Sequence, residues 1–263
     1  MRRLAIAAIG LASAACTDVG TNPNAVVAIR FDGSAYPSIV AGDSLRDSLG
    51  AIQPLQAVGL NYKNSAVAGA PFVFSSPDTI LRMFTSGVVF ARGRKADAAP
   101  ARVFATVQAL QSQPDTLYVV PRADSIAAGK VVHTVPVSAE GTAVSGADSL
   151  PFFVRGDTLA GAPKTAIQAW LVSFQLRYKG TLLSPTDTSV AYTFVTTTTT
   201  PPRRLPSFVD STDASGRVSR QVVIQRISAG LAEDTIFIVA TARPRKLGAA
   251  PLRAETMILL RRQ

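Results

Sequence analysis

Apolar and polar side chains alternate along most of this chain with a period of two, and that alternation limits the folds open to it. A period of two places successive side chains on opposite faces of an extended strand. Val27, Ile29 and Phe31 alternate with Ala28, Arg30 and Asp32, and Val58, Leu60 and Tyr62 with Gly59, Asn61 and Lys63. Val103, Ala105 and Val107 form a third stripe, and Leu117 and Val119 a fourth. The second half is more regular. Trp170, Val172, Phe174, Leu176 and Tyr178 share one face, Val190, Tyr192 and Phe194 another, and Ile236, Ile238, Ala240 and Ala242 a third. Phe237 and Val239, on the reverse of that last stripe, predict a strand buried on both faces near its start. Val218, Val222 and Ile224 are in phase but interrupted by Arg220, and Met257 to Leu260 form a short final apolar run. Only Ser44 to Ile52 has room for a helical turn or two, which Pro54 would stop.

Between these runs lie clusters of Gly, Pro, Asp, Asn and Ser, the punctuation of turns. Many short strands with such turns point to an all-β chain of sandwich or barrel type. One sandwich takes about 100 residues, so two fit in tandem. The expected boundary is near Pro121-Arg122-Ala123-Asp124, just after Tyr118-Val119-Val120, giving units at 26–121 and 122–263. Thr196 to Thr200 followed by Pro201-Pro202 reads as a strand leaving its sheet into a long loop, with a linker or an O-glycosylated segment as the other readings.

The first sixteen residues carry an address. Arg2 and Arg3 precede an uncharged apolar run from Leu4, and Ser13-Ala14-Ala15 lead into Cys16, the only cysteine. A run of this kind falls short of the roughly 20 residues a membrane span needs, and with its basic start and small residues it has the form of a secretory signal peptide at 1–15. The segment resembles bacterial lipoprotein signal peptides, with Ser13 where that family usually has leucine. The resemblance implies cleavage before Cys16, acylation of Cys16 and anchoring in a membrane, with residues 16–25 as anchor and tether. Thr17, rather than aspartate, after the cysteine implies the outer membrane. Cleavage without a lipid, giving a secreted protein, is the competing reading.

Removing residues 1–15 leaves 248 of the 263 residues, and losing Arg2 and Arg3 lowers the formal charge from +10 to +8. With Cys16 committed, no thiol remains for a disulfide or a thiolate metal site, so stability has to come from core burial. A hydrophobic fraction of 47% with 17% charged residues is that of a packed chain. Basic residues are scattered in small clusters, Arg92-Gly93-Arg94-Lys95, Arg203-Arg204, Arg243 to Lys246 and Arg261-Arg262, and lack the interleaved aromatics of a nucleic-acid surface. They read as a solvated basic surface, with anionic headgroups or acidic surface polymers as possible contacts.

Two stretches resemble bacterial immunoglobulin-like domains. In the first half these are Val40-Ala41-Gly42-Asp43-Ser44-Leu45, Phe72-Val73-Phe74-Ser75-Ser76-Pro77-Asp78 and Ser86-Gly87-Val88-Val89-Phe90-Ala91. In the second, Thr212-Asp213-Ala214-Ser215-Gly216-Arg217-Val218 followed by Ile236 to Ala242 is similar to the invasin/intimin-type variant, in which an Asp-x-x-Gly turn joins two late strands. The first half departs from the family in having Phe where tryptophan is frequent and an insertion from Arg92 to Ala101. The resemblance implies two immunoglobulin-like β-sandwich domains and a role in adhesion, spacing or surface display.

Catalytic parts are scarce. His133 is the only histidine and sits within Val131-Val132-His133-Thr134-Val135, a predicted strand. No Gly-x-Ser-x-Gly elbow, phosphate loop or dinucleotide fingerprint is present. Paired carboxylates suffice for glycoside hydrolysis, but the glutamates are only Glu140, Glu233 and Glu255, and most aspartates lie in turn contexts. Asp210, Asp213 and Ser215 before Gly216 invite a calcium loop, against which a plain hairpin turn is the simpler reading. Arg155-Gly156-Asp157 spells the integrin-binding tripeptide in a context that also suits a turn. The expectation is therefore a non-catalytic envelope lipoprotein without cofactor or metal. Its domains would act as a surface spacer or as an adhesive, protein-interaction module, and a carbohydrate- or polymer-binding module is the alternative.

Overall fold

The computed structural model describes residues 22–34, 36–47, 50–93, 99–137, 146–156, 164–183, 192–195, 209–224, 233–243 and 250–262. Among them every regular element is a strand. The first half contributes β1 (Ala28–Phe31), β2 (Ser38–Val40), β3 (Ala57–Leu60), β4 (Ala66–Val67), β5 (Val73–Ser75), β6 (Leu81–Met83), β7 (Val89–Ala91), β8 (Ala101–Val107), β9 (Leu110–Gln111) and β10 (Asp115–Val120). The second contributes β11 (Ala123–Ala128), β12 (Val132–Val137), β13 (Gly146–Gly156), β14 (Thr165–Ala166), β15 (Leu171–Tyr178), β16 (Thr181–Leu182) and β17 (Tyr192–Val195). It continues with β18 (Val209–Ser211), β19 (Arg217–Ile224), β20 (Glu233–Ala242) and β21 (Leu252–Arg262).

In the second half two sheets form a sandwich. One runs β11-β13-β19-β17 and the other β12-β21-β20-β15-β16, with β14 and β18 added at β13 and β15. Leaving aside the short additions, the orders are first-second-fifth-fourth and first-seventh-sixth-third, the first strand being divided between the sheets as β11 and β12. That is the immunoglobulin-like order. The inward residues match the alternation: Trp170, Val172, Phe174 and Leu176 are buried, as are Ile236, Ile238, Ala240 and Ala242. Val239 is also buried and Phe237 half-buried, so β20 is covered on both faces where the sequence predicts it. The Phe152 and Phe174 rings meet edge to face at 5.7 Å in the centre. Burying one such side chain is worth roughly 1.5–3 kcal/mol, and the ring pair about 0.5–1.5 kcal/mol more.

The first half repeats the same device around its own core of Tyr36, Ile39, Leu45, Leu81, Val89, Val103 and Leu117. Its sheets are β1-β3-β4, β2-β10-β8-β5 with β9 on β8, and the pair β6-β7. In both halves an early strand pairs in parallel with the last one. Ser38–Val40 lie beside Tyr118–Val120, and Val132–Val137 beside Met257–Arg262, whereas the other ladders are antiparallel.

Three local expectations are corrected. Ser44 to Ile52 forms no helical turn among its described residues: Ser44 bridges Phe90, Arg46 bridges Ile52, and the Leu45 N–H donates to Val89 O, so ladder bonds take the groups a helix would need. In β3 and the two residues after it the buried positions are Gly59 and Asn61, the latter 9% exposed, while Tyr62 is 41% exposed. A Cβ on Gly59 would lie 2.9 Å from Val26, and the Asn61 carboxamide donates to Pro23 O while accepting from the Lys63 and Ser65 N–H groups. Close backbone approach and a turn-organising amide set that face, not apolar size.

The Asp213–Gly216 turn is the third correction. It closes through the Gly216 N–H to Asp213 O bond, and the Asp213 carboxylate accepts from the Ser215 N–H and Oγ–H and from the Arg217 N–H. It is no hairpin within one sheet, because β18 pairs with β15 while β19 pairs with β13 and β17. The turn carries the chain across the sandwich. Gly216 has a φ of 73°, and a Cβ there would stand 2.6 Å from Val154 O. Gly216→Ala is expected to cost about 1–3 kcal/mol through backbone strain and that contact. Urea unfolding of the two proteins measures it, and an unchanged midpoint would contradict the close approach.

Candidate functional site

Two places gather unusual chemistry: the junction between the halves and a groove in the first half. At the junction, Pro121 and Arg122 alone separate β10 from β11. Val40 and Val120, from strands of the first half, pack into the core of the second, and Leu171 packs against that of the first. Tyr36 is fully buried just ahead of β2, and its hydroxyl accepts the Leu171 N–H at 2.7 Å. Its ring meets Trp170 edge to face at 6.0 Å.

Arg243, directly after β20, closes this junction. Its guanidinium carbon is 3.6 Å from the Tyr36 ring centroid and 4.8 Å from that of Trp170, and the residue is only 7% exposed. Nη1 donates to Arg46 O at 2.6 Å and to Asp47 O at 3.2 Å. Arg46 is held by a two-pronged pair with Asp43, at 2.9 Å on each prong, and by a bond to Gly50 O. One side chain from the end of the second half therefore fastens the loop before β3. Burial pulls the Arg243 guanidinium below its ordinary value, opposed mainly by Tyr36 and Asp43, and it pushes the Tyr36 phenol well above its own. The Arg243 charge and the bond from the Leu171 N–H oppose that rise, and the hydroxyl also donates to Leu171 O at 3.4 Å.

Arg220 is the second buried cation. It stays in phase with Val218 and Val222, and its Nη2 reaches Val209 O at 2.8 Å and Asp210 at 3.5 Å. Desolvation lowers its pKa and Asp210 opposes the shift. The Arg220 guanidinium lies 5.8 Å from the Phe174 ring, so the interruption seen in the sequence is a tie between β19 and β18.

The groove lies beside β3 and β5 and encloses about 470 Å³. Its wall includes Pro54, Leu55, Val58, Phe72 and Phe74, with Asp32, Gln53 and Gln56 as polar members. The Phe72 and Phe74 rings stack at 6.5 Å, and Phe31 continues the row at 5.9 Å from Phe74. Asp32, the one carboxylate among the described residues of the lining, pairs with Arg30 at 3.1 Å. The two facing carboxylates of a glycoside hydrolase are not brought together here.

The residues singled out in the sequence fall as follows. Cys16 lies outside the described residues, as do Asp157 of the tripeptide and the Thr196–Pro202 run. His133 is buried in β12 opposite Ile258. The carboxylate of Asp213 is occupied by its own turn, and that of Asp210 faces Arg220. Burial pushes the Asp213 carboxyl up, but the bonds from Ser215 and Arg217 outweigh it and hold it below its ordinary value. Trp170 is core. Sequence reading missed Tyr36 altogether and counted Arg243 within an exposed basic cluster; its place directly after the apolar Ala240–Ala242 stripe was the only available signal.

No protein-family description matches the chain, and no curated protein does. Solved structures do resemble it. The adhesin InvE of Yersinia pseudotuberculosis aligns at 14% identity over 91% of this chain and 61% of that one, with a TM-score of 0.34. The periplasmic chaperone SfaE aligns at 12% identity over 53% of this chain and 58% of the other, at 0.33. Domains 1–6 of the surface layer protein SbsC align at 12% identity over 89% and 27%, at 0.29. The chain thus spans about three-fifths of the length of the first two.

Arg243→Ala removes a desolvated cation–π contact worth about 2 kcal/mol and hydrogen bonds to carbonyls worth about 1 kcal/mol each. The expected result in calorimetry is a single unfolding transition for the parent and two separated transitions for the variant. One undivided transition at an unchanged temperature would contradict the role given to Arg243.

Proposed function

We propose that the chain is a non-catalytic envelope lipoprotein, anchored through acylated Cys16 with the outer membrane as its site. Residues 26–121 and 122–263 would act together as a rigid spacer that presents an adhesive or protein-interaction surface. The observation that carries the reading is the junction, where Arg243 is gripped by Tyr36 and Trp170 and bonded to the Arg46 and Asp47 carbonyls. A tandem meant only to be tethered needs no such lock; one that holds a surface at a set distance from a membrane does. Two or three acyl chains on Cys16 would suffice for a durable anchor, since one chain binds only marginally.

A carbohydrate-binding module is the second reading, favoured by the row of Phe31, Phe74 and Phe72 beside the groove. The anchor is tested by the intact mass and detergent partitioning of the native protein beside Cys16→Ser. The expected result is an added mass of acyl chains and partitioning into detergent that the variant loses. An unmodified chain beginning at Cys16, soluble in both forms, would make this a secreted protein instead.

A further inference from the structure

We propose that the groove beside β3 and β5 is a binding site for a neutral oligosaccharide. The proposal rests on the second functional reading above and is independent of the lipid anchor. At about 470 Å³ the groove falls within the roughly 300–1,000 Å³ typical of ligand sites. A sugar ring offers an apolar C–H face and a rim of hydroxyls, and the groove offers the complement of both. Phe72 and Phe74 stack 28° from parallel with their centroids 6.5 Å apart, and both contribute apolar surface to the lining. Gln53 is half-buried and Gln56 exposed, and neither side-chain amide has a hydrogen-bond partner among the described residues. Each amide carries two N–H donors and an accepting oxygen, the set that adjacent hydroxyls satisfy.

Charge decides which sugar. The only charged residue among the described residues of the lining is Asp32, and Arg30 already sits on its carboxylate. Among its described residues the groove therefore presents no unpaired charge to attract a uronate, a sulfate or an amine. An extended peptide is disfavoured by the strand beside it. The edge strand β5 has three residues and stands between Pro71 and Pro77, which carry no N–H, so it has little ladder to offer.

The test uses the mature chain with Cys16→Ser, so that lipid plays no part, titrated with cellohexaose, xylohexaose and mannohexaose. A hexamer of galacturonic acid and an apolar decapeptide serve as controls. The expected result is saturable binding of at least one neutral hexasaccharide, with amide NMR shifts concentrated at residues 53–58 and 70–74. Phe72→Ala and Gln53→Ala should each weaken it about tenfold or more while keeping the parent's thermal midpoint. The shift map needs no variant, so it decides the matter even if one of them misfolds. No binding by any neutral hexasaccharide at millimolar concentration overturns both this site and the carbohydrate reading. Binding with shifts elsewhere overturns this site alone, and preferential binding of the acidic hexamer or the peptide overturns the ligand class.

Discussion

Withdrawing a guanidinium from water is costly unless its faces and N–H groups find partners, and the tandem arrangement depends on the partners that Arg243 finds. It lies over Tyr36 and Trp170, and Nη1 reaches two backbone carbonyls of the other half, while Nε is buried without a hydrogen-bond partner among the described residues. Tyr36 is tied in turn to Leu171 of β15, and Arg46 to Asp43. The contacts are mutually dependent: the rings need the cation to be buried with them, and the cation needs the loop carbonyls. Val40 and Val120 extend the second core into the first half beneath this cluster. The two halves are thereby joined by packing as well as by the short Pro121-Arg122 connection.

Each half relies on the same topological device. An early strand leaves the first sheet and pairs in parallel with the last strand, so the beginning and end of each sandwich are held together. The second half then adds the sheet-crossing turn at Asp213–Gly216, where a carboxylate collects three N–H or O–H donors and a glycine admits close contact with β13. Arg220 reinforces the crossing from within by reaching Val209 across from Phe174. The groove in the first half takes its wall from β5, an edge strand, and from β3 with the loop ahead of it. The corresponding strand in the second half, β15, is flanked by β16 and β18.

Strand phase was legible in the sequence because burial follows the pleat. The Trp170–Leu176 and Ile236–Ala242 stripes are buried as their alternation predicts. Legibility fails where backbone approach or polar bonding sets the face, as at Gly59 and Asn61, and where a turn's own residues say nothing of which sheets it connects, as at Asp213–Gly216. The junction was the least legible part. Tyr36, Trp170 and Arg243 are far apart in sequence, and an arginine beside Pro244, Arg245 and Lys246 has the composition of a solvated cluster. The groove was hidden for a related reason: Phe72 and Phe74 were seen as part of a strand motif, while the amides that face them come from the loop ahead of β3.

The central claim is that this junction makes one rigid body of the two sandwiches. It is tested most directly by the distribution of distances between two nitroxide labels measured by pulsed electron paramagnetic resonance. One label would be at Gln111 in the first half and one at Thr181 in the second, both exposed, in a Cys16→Ser background. The account predicts a single narrow distribution in the parent that broadens markedly when Arg243 is replaced by alanine. A broad distribution in the parent, or one whose width does not depend on Arg243, would contradict it.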